Sequence, residues 1–106
     1  AEYRKQSASD PVERVLRMPL IPINRLMAEH FNGAPDLLSI DIEGLDLAVL
    51  RTLDYRAHRP AAICAETKKP AMSHDSTSVA RFLQTRGYVA CAGSLYNTIF
   101  VDRTRL

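Results

Sequence analysis

The chain has 106 residues, which fits one domain or part of one. Its 14 Lys and Arg are scattered among 12 Asp and Glu for a net charge of +2; with no basic block and no aromatic interleaving, nothing points to nucleic acid. No apolar run approaches the roughly 20 residues a membrane helix needs and no signal peptide is visible, so the expectation is a cytoplasmic chain with no membrane partner.

Residues 1–11 are polar and read as a flexible N-terminal segment. The chain opens on Ala1 rather than Met, as a processed protein or a piece of a longer one would. Val12 to Ile21 is apolar but interrupted by Pro19, which removes a ladder donor and predicts an edge strand at best. Pro22 suits the first turn of a helix, and Ile23, Leu26, Met27 and Phe31 recur at helical spacing until Asn32-Gly33 stops the pattern. His30 lies beside that apolar face, as a half-buried helical histidine rather than a ligand.

The stretch Asp36 to Gly44 is the most informative. Leu37, Leu38, Ile40 and Ile42 form a short apolar run suited to a parallel strand covered on both faces. Asp41 and Glu43 stand two apart, on one face of an extended chain, and Gly44 lets the backbone turn into a helix. That helix should run from about Leu45 to Leu53, with Leu45, Val49 and Leu53 inward beside Ala48 and Thr52, and with Asp46 at the positive end of the dipole. Asp54 to Arg59 reads as a loop. Pro60 to Glu66 reads as a second buried strand that again ends in an acid. Thr67 to Ser73, with Lys68 and Lys69, is the loop beyond it.

Asp75 or Ser76 can cap a helix whose core stripe is Val79, Phe82 and Leu83, stopped by Gly87. Tyr88 to Ala92 and Asn97 to Val101 are strands joined briefly enough to be antiparallel neighbours. Cys64 and Cys91 fall inside strand-like runs, with no metal-ligand spacing, and are expected to be buried and reduced. The element order is β, α, β, α, β, α, β, β, the rhythm of a parallel α/β sheet that closes with an antiparallel hairpin.

These residues carry a resemblance. Pro22-Ile23-Asn24-Arg25-Leu26, then Asp36-Leu37-Leu38-Ser39-Ile40-Asp41-Ile42-Glu43-Gly44-Leu45-Asp46, then Val49-Leu50, resemble the FkbM-type methyltransferase family. Glu66 at a strand end, Gly87-Tyr88 before a strand and Asn97 at the start of the last one continue the likeness, over roughly residues 20 to 101. Asn24 stands where the family usually has Asp, Ser39 where it has Lys, and Asp46 where it has Glu.

The resemblance implies an α/β fold: the carboxyl half of a Rossmann-like methyltransferase sheet, with parallel strands flanked by helices and ending in an antiparallel hairpin. The Gly-rich cofactor loop of such domains has no counterpart here, since no two of the four glycines are spaced as G-x-G. The implied cofactor is S-adenosylmethionine, and the implied reaction is methyl transfer to a hydroxyl of a sugar or small metabolite. Asp41, Glu43 and Glu66 would be catalytic, Asp41 and Ile42 would meet the cofactor, and Lys68, His74 and Asn97 would meet the acceptor. Three carboxylates at neighbouring strand ends also have the oxygen chemistry for Mg²⁺, although no metal is assigned.

A competing account uses Glu43 and Asp46 only to favour the helix N-terminus, with Asp41 as its cap. It goes with a second function class, a non-catalytic assembly or oligomerisation module derived from a methyltransferase half-domain. Either way, one edge of Leu37 to Ile42 would lack its usual partner, and exposed apolar edges invite pairing. Either the Val12–Ile21 segment should fold back onto it, or two chains should associate there as a homo-oligomer.

Overall fold

The computed structural model of the chain describes residues 11–67 and 75–106. The elements are α1 (Ile23–His30), β1 (Leu37–Ile40), α2 (Asp46–Thr52), β2 (Ala62–Glu66), α3 (Asp75–Thr85), β3 (Tyr88–Gly93) and β4 (Asn97–Asp102), followed by a single 3-10 turn at Arg103–Arg105. The four strands form one mixed sheet in the order β1-β2-β4-β3. β1 and β2 are parallel, with Leu37 opposite Ala62 and Ile40 opposite Ala65. β4 runs antiparallel to both β2 and β3, so the chain ends in the expected hairpin.

Period-two alternation decides where the core sits. Leu38 and Ile40 on β1, Ile63 and Ala65 on β2, and Phe100 on β4 face one side, where Leu50 of α2 and Val79 and Leu83 of α3 pack against them. Tyr88 joins this core fully buried, its hydroxyl donating to Pro60 O at 2.6 Å. The opposite face carries Leu37, Ser39, Ala62, Cys64, Ile99 and Val101, none of them buried. β1 is therefore covered on one face only, and Leu37 is 56% exposed.

Several expectations give way to this geometry. Val12 to Ile21 forms no strand, and its Val12, Val15, Leu16, Met18, Leu20 and Ile21 are all exposed. Proline at 19 and 22 withholds two ladder donors, and the segment does not fold back onto β1. In α1 only Met27 is buried; Leu26 and Phe31 are exposed, and so is His30, because the helix packs mainly along α2. In α2 Leu53 is buried and Val49 packs on the core as expected, but the stripe takes in Asp46 and Leu50 rather than Leu45, Ala48 and Thr52. Asp46, Leu50 and Leu53 turn inward at i, i+4 and i+7, while Leu45 stays half exposed.

Cys64 is half-buried and Cys91 exposed. A register shift between Ala90 and Ala92 leaves Cys91 without an opposite residue, and such a bulge turns its extra residue out of the ladder. Gly33, Gly44 and Gly87 have positive φ, as their helix-stop and turn positions require. At Gly87 a Cβ would also lie 3.0 Å from the Arg59 guanidinium.

Candidate functional site

The carboxyl end of β1 is shaped by four residues. After Ile40 the strand ends, and Glu43 (φ 52) and Gly44 (φ 95) are both left-handed, reversing the chain into α2. Asp41 and Glu43 thus do not sit side by side along an extended strand. A left-handed conformation costs a β-carbon residue such as Glu43 about 1–2 kcal/mol. The turn is closed by Asp46, 94% of whose surface is hidden, through Oδ1 accepting the Ile42 N–H at 2.9 Å. Leu45 N–H donates to Ile42 O at 3.4 Å, and Val49 N–H to Leu45 O at 3.0 Å.

The acid that serves the helix start is therefore Asp46, and the helix N-cap is Leu45 with no side-chain cap. Asp41 does not cap it: the residue is exposed and makes no hydrogen bond or ion pair among the described residues. Ile42 packs its side chain on the core and commits its N–H to Asp46, so toward a ligand it has only its carbonyl to offer.

The neighbouring strand ends bring Glu66 and Asn97 into line. They are opposite each other on β2 and β4. The β1–β2 ladder ends with Ile40 opposite Ala65, so Asp41 leaves β1 just after its last paired residue and Glu66 follows Ala65 on β2. Ala65 and Phe100 face the core, so alternation sets Glu66 and Asn97 on the opposite side of the sheet, with Asp41 just beyond the end of β1. Asp41 and Asn97 are exposed and Glu66 half-buried. The loop leaving Glu66 is tied to the hairpin by Thr67 N–H donating to Tyr96 O at 2.9 Å and by a hydrogen bond between the Thr67 and Thr98 hydroxyls. Lys68 and His74 lie outside the described residues. Among the described residues no three His, Cys, Asp or Glu side chains are grouped to hold a metal ion, so Asp41, Glu43 and Glu66 do not converge as Mg²⁺ ligands would.

Two arrangements carry no sequence signal. At the far end of the sheet Asp102, almost fully buried, accepts Arg59 Nε at 2.8 Å and Nη2 at 3.1 Å, and Thr104 N–H and Oγ1 at 3.0 Å each. The hydrogen-bonded guanidinium holds the Asp102 carboxyl well below the usual carboxylate range, and Arg59 is shifted up in return. Arg59 also lies 4.7 Å from the Tyr88 ring centroid, and burial pushes that phenol up to about 12. Arg59 and Asp102 are 43 positions apart, so no local pattern announces them.

The second arrangement is Asn24. Its Nδ2 donates to Thr52 O at 2.8 Å and its Oδ1 accepts Asp54 N–H at 2.7 Å, which seals the carboxyl end of α2 onto α1. An amide, with its acceptor oxygen and donor nitrogen side by side, makes both bonds at once.

Carboxylates at the carboxyl ends of the two parallel strands, with an amide at the start of the antiparallel β4 beside them, can bind a cationic group, orient a hydroxyl or accept its proton. Neither a curated protein nor a solved structure matches the chain. The family model of the FkbM methyltransferase domain matches residues 2–90, which include Asp41, Glu43 and Glu66 and stop short of Asn97. On that match, over most of its length, the chain belongs to the FkbM methyltransferase domain family.

Proposed function

We propose that the chain takes part in methyl transfer from S-adenosylmethionine to a hydroxyl of a sugar or small metabolite. The observation that carries this reading is the pairing of Glu66 with Asn97, with Asp41 just past the end of the adjacent strand, in a chain from this family. S-adenosylmethionine supplies an electrophilic methyl on a sulfonium sulfur. The residues here fit its amino-acid end, since an exposed carboxylate can hold an ammonium. Asp41 is assigned that contact, with the Ile42 carbonyl beside it. Glu66 is assigned the acceptor hydroxyl as proton acceptor, and Asn97 its orientation by an amide hydrogen bond. Glu43 is read as a third acid at the rim, held in a left-handed turn at an energetic cost that functional sites often carry. Lys68 and His74 remain assigned to the acceptor.

Nothing in the described residues resembles a glycine cradle for the adenosine. Gly44 opens the helix turn and Gly33 follows α1. The reading therefore assigns that cradle to sequence beyond these 106 residues and makes this chain the carboxyl half of the full sheet. The bare edge of β1 is then where a further strand, or a second copy of the chain, completes the structure.

The test is calorimetric titration of the chain with S-adenosylmethionine and with its demethylated product, with and without Mg²⁺, for the native sequence and Asp41→Asn. Saturable micromolar binding lost in the variant supports the assignment. Equal binding by native chain and variant removes Asp41 from the cofactor. No binding at millimolar ligand would mean that the cofactor site does not form from these residues alone.

A further inference from the structure

We propose that the outer face of α2 and α3 is a docking surface for an acidic peptide segment of a partner protein, gripped by Arg51, Arg81 and Arg86 around Phe82. Sequence alone does not gather these cations, since Arg51 and Arg81 are 30 positions apart. The fold does. Arg51 closes the last turn of α2, Arg81 lies on α3, and Arg86 follows the end of α3. The guanidinium carbon of Arg86 is 5.0 Å from the Phe82 ring centroid and 5.9 Å from that of Tyr55; that of Arg51 is 6.0 Å from Phe82. A guanidinium near a ring face keeps its N–H fork available, and that fork matches a carboxylate bidentately.

None of the three arginines has an ion-pair partner among the described residues. Asp54, which lines the neighbouring hollow with Arg86, accepts the Arg56 and Ala57 N–H groups through its Oδ1. Three like charges with no salt bridge among the described residues repel one another, and an incoming carboxylate relieves that repulsion.

The shape narrows the choice of partner. A shallow cavity of about 350 Å³ is lined by Arg51, Arg81, Phe82 and Thr85. A second, of about 250 Å³, is lined by Leu53, Asp54, Tyr55, Arg56 and Arg86. Arg86 approaches both rings and so joins the two. Paired open hollows suit an extended chain better than an enclosed small molecule. Nucleic acid fits less well: it needs an open aromatic face for base stacking, and guanidiniums crowd the Phe82 ring. The surface lies on the helix side of the sheet, away from Glu66 and Asn97, so a docked partner leaves that face clear. The proposal does not depend on the methyl-transfer reading.

The experiment is fluorescence anisotropy of a labelled glutamate-rich peptide with the full chain in about 50 mM salt. A glutamine-substituted peptide and a single-stranded oligonucleotide of equal charge are the comparisons. The glutamate peptide should bind saturably and the glutamine peptide should not. Arg51→Gln and Arg81→Gln should each weaken binding by about tenfold, which corresponds to about 1.4 kcal/mol. Arg81→Lys, which keeps the charge and loses the fork, should fall between, and Arg25→Gln on α1 should change nothing. Circular dichroism of each variant checks the fold; should a glutamine variant unfold, the lysine variant decides. Native affinity in a folded Arg51→Gln/Arg81→Gln double variant overturns the proposal, and so does tighter binding of the oligonucleotide.

Discussion

Replacing Asp102 by Asn tests how the far end of the sheet is held. Asp102 accepts four hydrogen bonds, two from Arg59 and two from Thr104. Bonds to an ionised group are worth about 1.5–3 kcal/mol each, but the Arg59 side chain is 30% exposed, so water recovers part of the loss. An amide also keeps one acceptor oxygen. The net cost should be about 2 kcal/mol, a large part of a domain's usual 5–15 kcal/mol margin, or roughly 10 °C in Tm. The pH dependence separates the ion pair from simple packing. The folded Asp102 pKa lies below the ordinary unfolded value of about 3.9, so the charge stabilises the fold above that value. The contribution is lost as pH falls toward the folded pKa. Urea unfolding of the native chain and Asp102→Asn should show a constant gap from pH 7 to about pH 5. Below about pH 4 the gap should narrow by up to about 1.4 kcal/mol per pH unit. A gap under about 0.5 kcal/mol at neutral pH, or one that does not change between pH 5 and 2.5, would refute the reasoning.

Two other substitutions follow from the hydrogen bonds described above. Asn24→Asp keeps the bond from Asp54 N–H but sets a carboxylate against the Thr52 carbonyl at the negative end of α2, so it should cost about 1–2 kcal/mol in urea unfolding at neutral pH. Asp46→Ala leaves the Ile42 N–H without its acceptor and removes an acid from the first turn of α2; a loss of about 1–2 kcal/mol is expected, together with faster hydrogen exchange of the Ile42 amide.

Much of the fold was legible because local signals and burial agreed. The 37–40 and 62–66 strands, the α3 stripe of Val79 and Leu83, the Gly87 stop and the closing hairpin all combine a periodic pattern with a clear turn residue. In α2 the pattern gives Val49 and Leu53 but not Leu50, because Leu45, Leu47, Val49, Leu50 and Leu53 offer two apolar stripes and only packing chooses between them. The Val12–Ile21 segment forms no strand although β1 offers an edge, because proline at 19 and 22 withholds ladder donors and apolar content alone does not fix pairing. Cys91 was placed inside because a bulge cannot be read from Ala90-Cys91-Ala92. At the site, Asp41 and Glu66 stood out as acids closing apolar runs. The role of Asp46 did not, because its bond back to Ile42 depends on Glu43 and Gly44 both being left-handed. Arg59 with Asp102 had no signal at all, since tertiary structure alone makes them neighbours.

The one-sided placement of the core bears on how freely this chain can change. The residues that hold the sheet together and the Glu66 and Asn97 assigned to chemistry occupy opposite faces of the same strands, alternating one by one along them. Side chains at 41, 66 and 97 can be exchanged without opening a void behind Ile40, Ala65 or Phe100. A library randomised at those three positions, with Ser39 and Cys64 beside them, should be populated mainly by folded members. Acceptor preference could then drift, or be selected, largely uncoupled from the stability of the scaffold.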